Sequence, residues 1–193
     1  LCFLPEYKNR PHAYVKMWKH HAAQDKANML NEIAEKRGET WLKNYGGKIS
    51  SEWAIPKIWQ ILDEDEEIYN AMDRFIEAAD WIIWQLCGKD TRNSCTAGYK
   101  AMFNKRLGYP SYDFFKALDP RLDHVIDEKF SRDITPLGGC AGYVTEKAAA
   151  LTGLKVGIVG LGTSGRMIAD ALQLLGANIS YYCRSPKPDA QAQ

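Results

Sequence analysis

Apolar residues recur at three- and four-residue steps between Ala22 and Arg37, at Ala23, Ala27, Leu30, Ile33 and Ala34, and Gly38 follows them. That spacing predicts one amphipathic helix with a glycine stop, entered from His20 and His21. Upstream, Ala13–Trp18 (AYVKMW) alternates well enough to predict a short strand. Gly46 and Gly47 mark a turn. Beyond Ser50 and Ser51, residues Ile55, Ile58, Trp59 and Leu62 fall at i, i+3, i+4 and i+7, the mark of a second helix that tolerates Pro56 only near its first turn. The acidic run Asp63–Glu67 reads as a solvated helix end or loop with no chemistry of its own. Ala78–Leu86 is apolar almost throughout and is closed by Gly88, which predicts a buried helix. Ser111 can cap a short helix holding Phe114, Phe115 and Leu118, and Thr145 with Glu146 can cap another through Leu151, stopped by Gly153. Asp119–Gly142 is expected to be mostly loop.

From Lys155 the pattern changes. KVGIVG (Lys155–Gly160) predicts a buried strand, Ser164–Leu175 a helix stopped by Gly176, and NISYYC (Asn178–Cys183) a second strand, together one βαβ unit. The terminal PKPDAQAQ reads as frayed. The fold class is therefore α/β, in two parts: residues 1–152, then a single Rossmann-type βαβ unit over 153–193.

Charge changes the picture little. Twenty-five Lys and Arg stand against 24 Asp and Glu, a net charge of +1, so neither a nucleic-acid scaffold nor an acidic tail is indicated and the expected partners are small molecules or proteins. The longest uncharged stretches, such as Ala171–Cys183, fall short of the roughly 20 apolar residues that a bilayer span needs, so no membrane partner is expected. The five cysteines, at 2, 87, 95, 140 and 183, form no CxxC pair and read as reduced thiols of a cytoplasmic protein. The opening LCFLPEYKNR lacks an initiator Met and a signal-peptide pattern and is taken as an internal start. Histidines 20 and 21 diverge on a helix, and only His12 and His124 remain, so no metal site is expected. The oligomeric state has no signature.

Two constellations carry chemistry. In GLGTSG, Gly160, Gly162 and Gly165 lie between the first predicted strand and the helix: a tight turn, a close backbone approach to a pyrophosphate, and close helix–strand packing. The alternative is a plain glycine-rich turn. Where an acidic residue would hold a ribose 2′-hydroxyl, this chain has Cys183 and Arg184, and a guanidinium there suits a 2′-phosphate, favouring NADP over NAD. The stretch GLKVGIVGLGTSGRMIADALQLLGANISYYCRSPKP resembles the opening of the nucleotide-binding domain of D-isomer-specific 2-hydroxyacid dehydrogenases. That family's substrate-handling residues lie beyond the second strand, outside this chain.

The second constellation is longer. NRPHAYVKMWKHHAAQ, NYGGKISSEWAIPKIWQIL, FIEAADWIIWQLCG, TRNSCTAGYKAM, FFKALDPRL and SRDITPLG follow one another in the order and spacing of the L-ribulose-phosphorylating branch of the FGGY carbohydrate kinase family, and the resemblance covers residues 1–152. It implies part of an actin-like, ribonuclease-H-like lobe. It also implies ATP- and magnesium-dependent phosphorylation of L-ribulose at the 5-hydroxyl, a step of L-arabinose catabolism. By the same resemblance Lys100 of TAGYK holds sugar oxygens through its ammonium, and Trp18 and Lys19 of MWKHH line the sugar pocket. Read without the family, Lys100 is a surface lysine after a glycine turn and Trp18 a core aromatic. The family's phosphate-binding hairpin and its catalytic Asp base match no residue of this chain, so no catalytic residue is assigned and the chain alone is expected to be inactive. A dehydrogenase-type oxidoreductase fragment is the rival reading, and a sugar- or nucleotide-sensing module without catalysis is a third. Whether the junction near Gly153 is natural stays open.

Overall fold

The structure is a computed structural model describing residues 1–151, 155–159 and 178–182, with side chains described through residue 148. In chain order the helices and strands are α1 (Gln24–Arg37), α2 (Ala54–Glu64), α3 (Glu66–Ala71), α4 (Ala78–Cys87), β1 (Arg92–Asn93), α5 (Ser94–Ala101), α6 (Tyr112–Leu118), α7 (Val125–Lys129), β2 (Ile134–Thr135), α8 (Glu146–Leu151), β3 (Lys155–Val159) and β4 (Asn178–Tyr182). Short 3-10 turns occupy Pro11–Ala13, Thr40–Tyr45 and Pro120–Leu122. The chain divides into two compact units, residues 1–80 with 90–139, and residues 81–89 with 140–193.

The first unit is built around α2. Every residue from Ala54 to Leu62 is buried, so the four-residue face foreseen for this helix is only part of what it buries. Pro56 sits third in the helix, within the first turn, where backbone N–H groups have no intrahelical partner and a missing donor costs nothing. Helix α1 packs beside it through Ala27, Leu30 and Ala34, the foreseen stripe. Gly38 ends α1 in the left-handed region at φ 69°, and the N–H of Glu39 reaches back to the Ala34 carbonyl at 2.9 Å. Phe114 and Phe115 of α6 close the core, and the Trp41 ring stands edge-on to Phe114 with centroids 4.9 Å apart. Ser111 caps α6 as its sequence indicates, accepting from Phe114 N–H.

Several expectations are corrected. Ala13–Trp18 is not a strand: Ala13 ends a 3-10 turn, Tyr14, Val15, Met17 and Trp18 stand exposed, and among the described residues no strand pairs with them. The acidic run is more than a solvated end. Asp65 caps α3 by accepting from Ile68 N–H, Arg10 pairs with both Asp65 and Glu67, His12 lies 2.8 Å from Glu64, and Lys26 pairs with Asp63. Asp119–Gly142 carries a 3-10 turn, α7 and β2 rather than loop alone, and β2 pairs in parallel with β1, Arg92 opposite Ile134. The 3-10 turn Thr40–Tyr45, α3 and α5 were likewise not foreseen.

In the second unit, Trp81, Ile82, Ile83 and Leu86 of α4 are exposed, so this helix is not the buried one that its composition suggests. Composition alone overrode periodicity there. Thr145 caps α8 through Ala148 N–H, as foreseen. Strands β3 and β4, both anticipated, pair in parallel with Lys155 opposite Asn178 and Val159 opposite Tyr182. Gly160, Gly162, Gly165 and Arg184 lie outside the described residues, as does the helix expected at Ser164–Leu175. Among the described residues helix therefore predominates, with two small parallel sheets.

Candidate functional site

Local chemistry in the first unit positions α5. Asp80 is buried and accepts from the Asn93 backbone N–H at 2.9 Å, the Asn93 side-chain amide at 2.7 Å and the Thr96 hydroxyl at 2.7 Å. The Asn93 side-chain oxygen in turn accepts from Cys95 N–H and Thr96 N–H, satisfying donors at the helix start. Helix α5 thereby has a fixed origin, and it carries Tyr99 and Lys100. Gly98 lies inside this helix, so Lys100 does not follow a glycine turn.

A cavity of about 540 Å³ opens in this unit, and its lining includes both Trp18 and Lys100. Sequence reasoning named both. The structure brings these two together and leaves Lys19 exposed, outside the lining. The Trp18 segment is held by its neighbours: Tyr14 Oη donates to the Lys8 carbonyl at 2.6 Å, Lys16 Nζ to the Pro11 carbonyl at 3.2 Å, and Lys57 Nζ to the Met17 carbonyl at 3.1 Å. Lys100 Nζ lies 4.9 Å from the centre of the Tyr99 ring, within cation–π range.

Lys57 and Glu77 also line the cavity, and sequence reasoning passed over both. A lysine inside an apolar helical run was the available signal for Lys57; Glu77 offered none. Burial pulls the Lys57 ammonium below its ordinary value, with Glu77 the leading charge acting the other way. Burial likewise lowers Lys16. Phe75, Glu77 and Lys100 additionally line a void of about 20 Å³, whose wall includes Asp80, Arg92 and Tyr109. Burial pushes the Tyr109 hydroxyl up to about 12, against the pull of Arg92 and Arg132.

His20 Nε2 lies 3.1 Å from Gln60 Oε1 and His21 Nδ1 3.4 Å from Ser51 Oγ, so the two rings engage different neighbours. Among the described residues no group of three or more His, Cys, Asp and Glu comes together that could hold a metal ion. No described residue is assigned to a magnesium ion, and no step is routed through one.

A cavity of this size, with an aromatic and an amine in its wall, falls in the range of small-molecule sites. The N-terminal domain of the FGGY family of carbohydrate kinases matches residues 2–169, and the chain belongs to that family. The match runs past Gly153, through the glycines at 160, 162 and 165. The ribulokinase of Halalkalibacterium halodurans is 61% identical over 82% of this chain and 28% of its own length. The ribulokinase of Anoxybacillus flavithermus is 60% identical over 81% and 28%, and that of Mycolicibacterium smegmatis 53% over 82% and 28%. The chain thus spans just over a quarter of the length of these relatives.

Proposed function

We propose that this chain is the sugar-binding portion of a ribulokinase, an enzyme that transfers phosphate from ATP to L-ribulose. One observation carries the reading: Trp18 and Lys100, distant in sequence, line one cavity whose volume suits a small ligand. Identities of 53 to 61% to ribulokinases over four-fifths of the chain support the choice of sugar. In this reading the Lys100 ammonium donates to sugar oxygens and so fixes the orientation of the pentulose, while the Trp18 indole covers its carbon face. Bound ATP supplies the transferred phosphoryl group. Operation in the cytoplasm belongs to the same proposal; Cys2, Cys87, Cys95 and Cys140 are free thiols, which suits a reducing compartment, and among the described residues no helix is long and apolar enough to cross a membrane.

Isothermal calorimetry of the chain with L-ribulose tests the reading. Saturable uptake is expected, weakened about tenfold or more by Lys100→Ala, since one or two charge-assisted hydrogen bonds vanish. An unaltered dissociation constant would reduce Lys100 to a surface residue.

A second reading concerns residues 153–193 as a separate dinucleotide-binding part, taking NADP through Gly160, Gly162, Gly165 and Arg184. The parallel pairing of β3 with β4 on either side of GLGTSG supports it; the extension of the kinase-domain match to residue 169 weighs against it. Equilibrium dialysis against NADP decides, and absence of uptake ends this reading.

A further inference from the structure

Glu77 lies between α3 and α4 and lines both the large cavity and the small void beside it, as Lys100 does. Both side chains are half-buried. Among the described residues, neither the Glu77 carboxylate nor the Lys100 ammonium makes a hydrogen bond or an ion pair, apart from the contact of Lys100 with the Tyr99 ring. The two opposite charges thus share a cavity wall without forming an ion pair with each other. Their neighbours behave differently: Arg74 pairs with Asp73 and Asp90, Lys57 donates to the Met17 carbonyl, and Glu52 lies 3.9 Å from His21.

An unpaired donor and an unpaired acceptor separated on one wall define what fits between them. The ammonium can only donate and the ionised carboxylate can only accept. A ligand hydroxyl can accept from Lys100 or donate to Glu77; a carbonyl or ether oxygen can satisfy only Lys100. We infer that Glu77 is a binding and specificity residue of the sugar cavity, accepting a hydrogen bond from one hydroxyl of the pentulose whose oxygens Lys100 holds. This assignment rests on the sugar-binding reading above. It makes the site selective for a polyol or ketose bearing that hydroxyl over the analogue that lacks it, because the deoxy sugar would leave a desolvated carboxylate without a donor.

The test is calorimetry on the 193-residue chain, unsubstituted and as Glu77→Gln and Glu77→Ala, titrated with L-ribulose and with its monodeoxy analogues. Glu77→Ala is expected to weaken L-ribulose about tenfold and Glu77→Gln less, since the amide oxygen still accepts but carries no charge. Glu77 makes no hydrogen bond within the described residues, but its charge opposes the burial of the Lys57 ammonium, so both variants should lose a similar small amount of melting temperature while differing in L-ribulose affinity. One monodeoxy sugar should bind the unsubstituted chain more weakly than L-ribulose does and lose nothing further on Glu77→Ala. Saturable L-ribulose uptake with the same dissociation constant in Glu77→Ala overturns the Glu77 assignment and leaves the Lys100 reading standing. No saturable uptake by the unsubstituted chain overturns the sugar-binding reading and the Glu77 assignment with it.

Discussion

Asp80 accepts hydrogen bonds from both the backbone N–H of Asn93, at 2.9 Å, and its side-chain amide, at 2.7 Å. Asn93 then spends its side-chain oxygen on Cys95 and Thr96, the first turn of the helix that carries Lys100. A carboxylate that is 2% exposed thus sets the start of α5, and through it the height at which an ammonium enters the cavity. Burying a carboxylate is costly unless its lone pairs are used, and here three donors meet them.

Asp80→Ala should therefore destabilise the first unit by about 2–4 kcal/mol, since three donors lose a charged acceptor in a place that water reaches poorly. Urea denaturation followed by tryptophan fluorescence measures it. L-ribulose affinity should fall along with stability, because Lys100 loses its fixed origin. A variant as stable as the native chain would mean that Asn93 caps α5 unaided.

In the second unit, Gly142 stands where no Cβ fits. A methyl built there would lie 2.9 Å from Cys87 Cβ and 3.1 Å from its Sγ, closer than carbon atoms pack. Gly142→Ala is expected to lower stability by about 1–3 kcal/mol, the cost typical of overpacking. Cys87→Gly in the same chain should return part of that loss, and differential scanning calorimetry of the single and double variants reads the coupling. Additive effects would show that the close approach does not govern the cost.

The legible parts of this fold are those written in local chemistry. The stripe at Ala27, Leu30 and Ala34 with its Gly38 stop, the Ser111 cap and the two strands after residue 154 each follow from a few neighbouring residues. Where a residue's role depends on distant partners, sequence reading failed. Ala13–Trp18 alternates like a strand, yet pairing requires a second strand, and among the described residues none reaches it. Asp65 looks like one more surface acid until Arg10 arrives from far upstream. The site divides the same way: resemblance pointed to Trp18 and Lys100, whereas Lys57 and Glu77 join the cavity only because α2 and the segment before α4 converge on it.

Acid should weaken the first unit through Asp119. Arg121 donates to this carboxylate from Nε at 3.0 Å and Nη2 at 2.8 Å, and these bonds hold Asp119 below its ordinary value of 3.8 despite the opposing effect of burial. A depressed carboxyl contributes stability that is complete above the unfolded value and is lost as pH falls through the lower folded one. Arg121→Met should accordingly be less stable than the native chain at neutral pH, and the gap should close as pH drops below 3.8. Urea midpoints across that range give the answer, and a gap independent of pH would assign the effect to packing of the Arg121 stem or to its backbone.

Lys57 should behave in the opposite sense. It is the one lysine inside the fully buried span of α2, and burial lowers its ammonium from the ordinary 10.5, an effect larger than the attraction of Glu77. A base whose folded value is depressed penalises the native state wherever it is protonated in both states, and the penalty is relieved as pH rises through the folded value towards the unfolded one. Lys57→Met keeps an unbranched apolar stem of similar shape and removes the charge, at the cost of the hydrogen bond to the Met17 carbonyl. Because Met17 is an exposed residue, its carbonyl can turn to water and that loss is small. The variant is expected to be at least as stable as the native chain at neutral pH, with its advantage shrinking as pH approaches 10.5. Paired urea titrations at neutral and alkaline pH measure the difference. A variant that is clearly less stable at neutral pH, with a deficit unchanged at alkaline pH, would show that the bond to Met17 outweighs the burial of the charge and that Lys57 serves chiefly to fasten the Trp18 segment to α2.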